Sequence, residues 1–146
     1  MLTLAIDTAT KVCTVALCRE QELLAEYTIN MGMTHSEGLL PQLEQLLERC
    51  GVDKKEIGLL AVSMGPGSFT GLRIGLATAE AMAYAWQCCL HGVDTLKALA
   101  YNIPLEGMGL SPVLDAQKGN FYQALYTWQQ GQLVELAPVA VVNVQQ

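Results

Sequence analysis

Two aspartates stand at the ends of apolar runs, each followed by a tight turn. Leu2 to Ile6 leads into Asp7-Thr8-Ala9-Thr10-Lys11, and Pro112 to Leu114 leads into Asp115-Ala116-Gln117-Lys118-Gly119. An aspartate so placed can hold a hydrated Mg²⁺ while the turn amides face phosphate oxygens. The polar and turn-forming residues of the two segments are Asp7, Thr8 and Thr10 in the first and Asp115, Lys118 and Gly119 in the second. The plainer alternative is that each carboxylate closes its own strand by accepting hydrogen bonds from turn amides. A third feature, Gly65-Pro66-Gly67-Ser68, follows the strand-like run Leu59 to Met64 and precedes a helical pattern from about Thr70. Strand, glycine loop and helix N-terminus can present backbone N–H groups to an anion. This loop lacks the G-x-x-x-x-G-K-[ST] pattern, and Arg73 is its nearest following cation. Gly65 and Gly67 read better as hinges around Pro66, with Ser68 or Thr70 capping the helix.

Other chemistry finds no constellation. His35 and His91 are far apart and do not make a metal site. There is no H-E-x-x-H, and no serine has a credible His and Asp pair. Cys13, Cys18, Cys50, Cys88 and Cys89 are odd in number, with no C-x-x-C, and read as free thiols rather than a disulfide or zinc framework. No catalytic residue and no metal site is expected.

The elements that must position these residues follow from periodicity. Leu2 to Ile6, Val12 to Cys18 and Leu23 to Ile29 read as a three-stranded antiparallel meander. Thr34 with Glu37 fits a capping box, and Leu39, Leu40, Leu43, Leu46 and Leu47 give a helical stripe ending at Cys50-Gly51. Val52 to Gly58 reads as a charged connection. After the long helix come a short strand, Cys89 to Val93, and a brief helix over Leu96 to Tyr101 capped by Asp94-Thr95. A second meander follows, over Pro112 to Leu114, Phe121 to Trp128 and Leu133 to Val142. The two meanders repeat one another: Asp7 precedes Ala16, and Asp115 precedes Ala124, by the same nine residues. No helix follows the second meander to cover its strands, so the chain is expected to be part of a longer protein.

Between Leu72 and Trp86 only Arg73, Thr78 and Glu80 are clearly polar. Ile74, Ala77, Ala81 and Tyr84 make one stripe; Leu76, Ala79, Met82 (or Ala83) and Trp86 make another. A helix apolar nearly all round is buried on more than one side. One side can be the chain's own sheet; the other calls for a partner. Leu39, Leu43, Leu72, Ile74, Leu76, Ala77, Ala81 and Tyr84 are the expected subunit interface.

Composition limits the partners. Eight basic against fourteen acidic residues give a formal charge of −6, which repels a phosphate backbone. Half the chain is apolar and 15% charged, which excludes a disordered chain. No run of 18 apolar residues and no basic leader precedes the first strand, so a cytoplasmic protein with no membrane partner is expected.

LAIDTAT near the N-terminus, THSEGLLP from Thr34 to Pro41, GPGSFTGLRIG from Gly65 to Gly75 and LDAQKGNFYQALY from Leu114 to Tyr126 together resemble the TsaB/YeaZ family. The resemblance implies an α/β, actin-like and ribonuclease-H-like fold: a mixed five-stranded sheet with helices over residues 1–109. An incomplete second lobe would begin with a three-stranded meander over 110–146. It implies a non-catalytic subunit that pairs with the TsaD paralogue, works with the TsaE ATPase in the complex, and can self-associate. The complex would carry threonylcarbamoyl to the adenosine following the anticodon of tRNA, with tRNA reached only through the complex. The family's catalytic paralogue uses two histidines four apart, whereas here His35 is followed by Leu39. The resemblance places the two aspartate turns where actin-like ATPases have their phosphate turns, which makes Asp7, Thr8, Thr10, Asp115, Lys118 and Gly119 the candidate nucleotide- or phosphate-binding residues. The first has Thr8 or Ala9 where such ATPases need glycine, which leaves weak ATP or ADP binding as the only cofactor expectation. The alternative function is a nucleotide-binding ATPase or small-molecule kinase of that superfamily.

Overall fold

Alternation decides which side of the first sheet is core. In a computed structural model, which describes residues 1–30 and 35–145 and all their side chains but those of 35 and 36, β1 (Leu2–Asp7) buries Leu2, Leu4 and Ile6. β2 (Val12–Arg19) buries Cys13, Val15 and Leu17 on the same face. Antiparallel pairing sets Leu4 against Leu17 and Ile6 against Val15, as the period of two in a strand requires. β3 (Glu22–Asn30) adds an antiparallel edge. α1 (His35–Cys50) presents Leu39, Leu43 and Leu46 to this face. Each fully buried leucine removes enough apolar surface from water to contribute about 2–3 kcal/mol. α1 ends in a Schellman motif: Val52 N–H donates to Leu47 O at 3.1 Å and Gly51 N–H to Glu48 O at 3.0 Å. Gly51, at φ +62°, occupies the left-handed position there.

The charged connection contains one further turn. Lys54–Glu56 is a 3₁₀ turn in which Asp53 and Glu56 form a reciprocal capping box. β4 (Ile57–Ser63) and β5 (Cys89–Val93) then run parallel to β1, giving the sheet order β3-β2-β1-β4-β5. Between them lies α2 (Phe69–Trp86). This is the mixed five-stranded sheet with helices that the resemblance implies. It belongs to a first compact unit, Met1–Met64 with Ser68–Val93.

The second unit comprises Gly65–Gly67 and Asp94–Gln146. The expected boundary at 109/110 falls inside it. α3 (Thr95–Ala100), capped by Asp94, packs Leu96 and Ala100 against Leu110, Ala124 and Tyr126. The helix that covers the second meander thus precedes it in sequence, where none was expected to cover it. The strands are β6 (Gly109–Leu110), β7 (Val113–Gln117), β8 (Asn120–Gln129) and β9 (Gln132–Asn143). β8 pairs antiparallel with β6, β7 and β9. Tyr101 and Trp128 meet edge to face at 5.1 Å, and the Trp128 indole donates to Ile103 O at 3.0 Å.

Candidate functional site

The first aspartate turn is tied down by its own polar groups. Asp7 Oδ1 accepts from Ala9 N–H at 2.9 Å, the strand-closing bond that a carboxylate two residues upstream can make. Thr8 is fully buried; its hydroxyl donates to Gly71 O at 2.7 Å and its N–H reaches Ser63 Oγ at 3.4 Å. Thr10 Oγ1 accepts from Val12 N–H at 3.2 Å. A Cβ at Gly75 would collide with Thr8 Oγ1, so this glycine is what lets α2 approach β1 so closely. The second turn repeats the motif: Asp115 Oδ1 accepts from Gln117 N–H at 2.7 Å. Gln117, Lys118 and Gly119 follow with positive φ, and Gly119 O accepts from Val144 N–H at 3.3 Å. The two turns belong to different units.

The glycine loop turns the chain into α2. Gly65 and Gly67 have positive φ around a cis Gly65–Pro66 bond. Ser68 is the N-cap: its Oγ accepts from Gly71 N–H at 3.2 Å, and its own N–H donates to Ala9 O at 2.7 Å. Gly65 O accepts from Thr95 N–H at 2.9 Å.

α2 separates its faces by size rather than by polarity. Gly71, Gly75, Ala79 and Met82 are buried, while Leu72, Ile74, Leu76 and Trp86 are half-buried. The outward face carries Phe69 at 74% exposure and Tyr84 at 89%, with Arg73, Ala77, Glu80 and Ala81 also exposed. The Arg73 guanidinium lies 5.2 Å from the Phe69 ring centroid. Of the expected interface residues, Ala77, Ala81 and Tyr84 face outward, and Ile74 and Leu76 flank the first unit's core. Leu39 (1% exposed) and Leu43 (2%) are corrected: they lie in that core, and Leu40, 51% exposed, is the outward leucine of α1. Their stripe could not reveal that β2 and β3 already cover it. Leu40, Leu47, Val52, Met82 and Trp86 line an apolar groove of about 450 Å³, with Glu44, Asp53 and Lys54 at its polar side.

Among the described residues no group of three or more His, Cys, Asp or Glu could hold a metal ion. Thr34, the expected N-cap, and the side chain of His35 lie outside the described residues. All five cysteines are free thiols. Burial raises the pKa of Cys13 and Cys18 above the ordinary thiol value, with further contributions from Asp7 and Glu26 respectively. Burial also raises that of Cys88. Sequence reasoning missed Tyr126. Burial, Asp94 and Glu135 push its hydroxyl up to about 12, and its hydrogen bond to Asp94 adds to the shift. Its place in the alternating pattern of β8 carries the only sequence signal for that burial.

Comparison with known proteins fits this architecture. A family model described as TsaD: tRNA N6-adenosine threonylcarbamoyltransferase matches residues 22–146. The tRNA threonylcarbamoyladenosine biosynthesis protein TsaB of Bacillus subtilis (strain 168) is 34% identical over 139 residues, 94% of this chain and 60% of that protein. The protein of the same name from Escherichia coli (strain K12) is 36% identical over 129 residues, 86% of this chain and 55% of that protein. The solved structure of YeaZ from Pseudomonas aeruginosa matches with a TM-score of 0.85 at 30% identity, over 97% of this chain and 67% of that one. The chain therefore spans more than half, and less than two thirds, of the length of these two curated relatives. With its paired aspartate turns, its Ser68-capped glycine loop and these matches, the chain belongs to the TsaB/YeaZ family.

Proposed function

We propose that the chain is a non-catalytic scaffold subunit that pairs with the TsaD paralogue for threonylcarbamoyl transfer to tRNA. The observation that carries this reading is the outward face of α2. Its exposed Phe69, Ala77, Ala81 and Tyr84 present apolar surface that a lone chain would leave in water. Small residues at the centre let a second helix approach closely, and aromatic residues at the ends supply the area that dominates interface energies. The matching family model carries the paralogue's name. Two chains of one fold can therefore meet through corresponding helices, as the subunits of a two-fold dimer do. The chain's charge of −6 favours reaching tRNA through the complex rather than directly. TsaE joins through the same complex, in the cytoplasm.

Nucleotide binding by the chain itself is a weaker reading. Thr8 Oγ1 and Asp7 Oδ1 are already engaged by Gly71 and Ala9, so no cofactor is assigned. The test is gel filtration of the purified chain with the TsaD paralogue at micromolar concentration. Co-elution supports the pairing, and separate elution overturns it.

A further inference from the structure

A second exposed apolar surface belongs to the second unit. Leu99, Tyr101, Ile103, Leu105 and Met108, from the last turn of α3 to the residue before β6, stand 38–54% exposed. Every residue from Tyr101 to Gly109 is exposed. The backbone of this loop is nonetheless fixed. Ile103 N–H donates to Ala100 O at 3.2 Å and Gly107 N–H to Trp128 O at 3.1 Å. Glu106 Oε1 accepts from Gly131 N–H at 2.7 Å, and Ile103 O accepts from the Trp128 indole. A loop held this way has lost its conformational freedom before any partner arrives, which lowers the entropic cost of binding. Apolar side chains kept in water on an ordered loop mark an interaction surface.

Charge selects the partner. Glu106 and Trp128 line an open groove of about 680 Å³ with Gln129, Gln130, Gln132 and Val134. Residues 98–117 and 119–146 contain no lysine or arginine, and among the described residues no cation pairs with Glu106. A carboxylate beside an indole suits a lysine or arginine side chain, through charge and cation–π attraction. We propose that this surface docks an amphipathic, basic segment of a partner protein. The apolar side of the segment meets Ile103, Leu105 and Met108, and its cations meet Glu106 and Trp128. The same carboxylate, with the chain's charge of −6, repels RNA and an anionic bilayer. The proposal is independent of the reading of α2, because every residue it uses lies in the second unit.

Fluorescence anisotropy tests this with a labelled synthetic peptide of leucine and lysine at helical spacing, titrated with the full chain. The lysine peptide is expected to bind at least about tenfold more tightly than its counterpart with glutamate for lysine. Leu105→Asp should raise the Kd about tenfold or more. Glu106→Gln keeps an acceptor for Gly131 N–H and removes the charge, and should raise it about threefold. Leu40→Asp, in the groove of the first unit, should leave it within about twofold of the parent. Circular dichroism checks that each variant folds. Equal binding of both peptides, or none, overturns the proposal, as does a Kd unmoved by Leu105→Asp. Loss of binding in Leu40→Asp would place the peptide on the first unit and overturn it too. Co-sedimentation of the parent, and not of Leu105→Asp, with phosphatidylserine–phosphatidylcholine vesicles would assign the surface to a membrane instead of a protein.

Discussion

Gly75→Ala should destabilise the first unit, although the position lies inside a helix. Alanine in a helix interior is ordinarily favoured over glycine by about 1 kcal/mol. Here the added Cβ would fall on Thr8 Oγ1, a buried β-branched side chain held at 2.7 Å from Gly71 O. Relieving that clash costs about 1–3 kcal/mol by overpacking, and displacing the hydroxyl loses a buried hydrogen bond of about 1 kcal/mol. The net expectation is a loss of about 2 kcal/mol. In a Thr8→Ala background the obstructing oxygen is gone, and the Thr8 Cβ position would stand 3.4 Å from the new methyl, an ordinary contact. Gly75→Ala should there be neutral or stabilising by up to about 1 kcal/mol, giving a coupling of about 2–3 kcal/mol in the double-mutant cycle. Urea unfolding measures this through Trp86, half-buried against the first core, in a Trp128→Phe background so that the second unit is silent. If Gly75→Ala has the same effect with and without the Thr8 side chain, the account of how α2 docks on β1 is refuted.

Two predictions concern titrating groups. The Tyr126 hydroxyl is held protonated in the folded chain up to about 12, whereas an unfolded tyrosine ionises near 10. Its contribution is complete below pH 10 and is lost as the pH rises through 12, at most about 3 kcal/mol. Relative to the parent, Tyr126→Phe should lack this loss in alkaline unfolding, and absorbance titration should lose one tyrosine ionising near pH 12. An identical alkaline profile in the variant contradicts the assignment. Cys89 is the exposed cysteine, whereas Cys13, Cys18 and Cys88 have raised pKa values. Native alkylation near pH 8 should therefore modify Cys89 before those three, as peptide mass mapping reads directly. Prior modification of Cys13 would contradict its burial.

Much of this architecture is legible in the sequence because strand alternation is a local signal. Leu2, Leu4 and Ile6 announce a buried face, and the same aspartate-turn motif announces itself at Asp7 and again at Asp115. The polarity of α2 is less legible. Its buried side is made by Gly71, Gly75 and Ala79, which carry little hydrophobic signal, while large apolar Phe69 and Tyr84 face outward. Burial there follows from how closely a helix can approach a strand, which depends on residues far away in sequence. The same applies to Thr8, whose partner Gly71 is 63 residues distant. Leu39 and Leu43 show the limit of periodicity: a stripe identifies a buried face but not which element buries it. The Lys54–Glu56 turn has its sequence signature in Asp53 and Glu56, set within a charged stretch that has no apolar periodicity to mark an element.

On the proposed function, the outer face of α2 is where the paralogue binds, and the aspartate turns are not needed for pairing. Isothermal titration of the TsaD paralogue into the parent chain, Ala77→Glu and Asp115→Asn tests it directly. Placing a charge on Ala77 at the centre of the face should weaken binding at least about a hundredfold, since an unpaired buried charge costs several kcal/mol. Asp115→Asn should leave the affinity within about twofold of the parent. Undiminished binding by a folded Ala77→Glu chain would contradict the account.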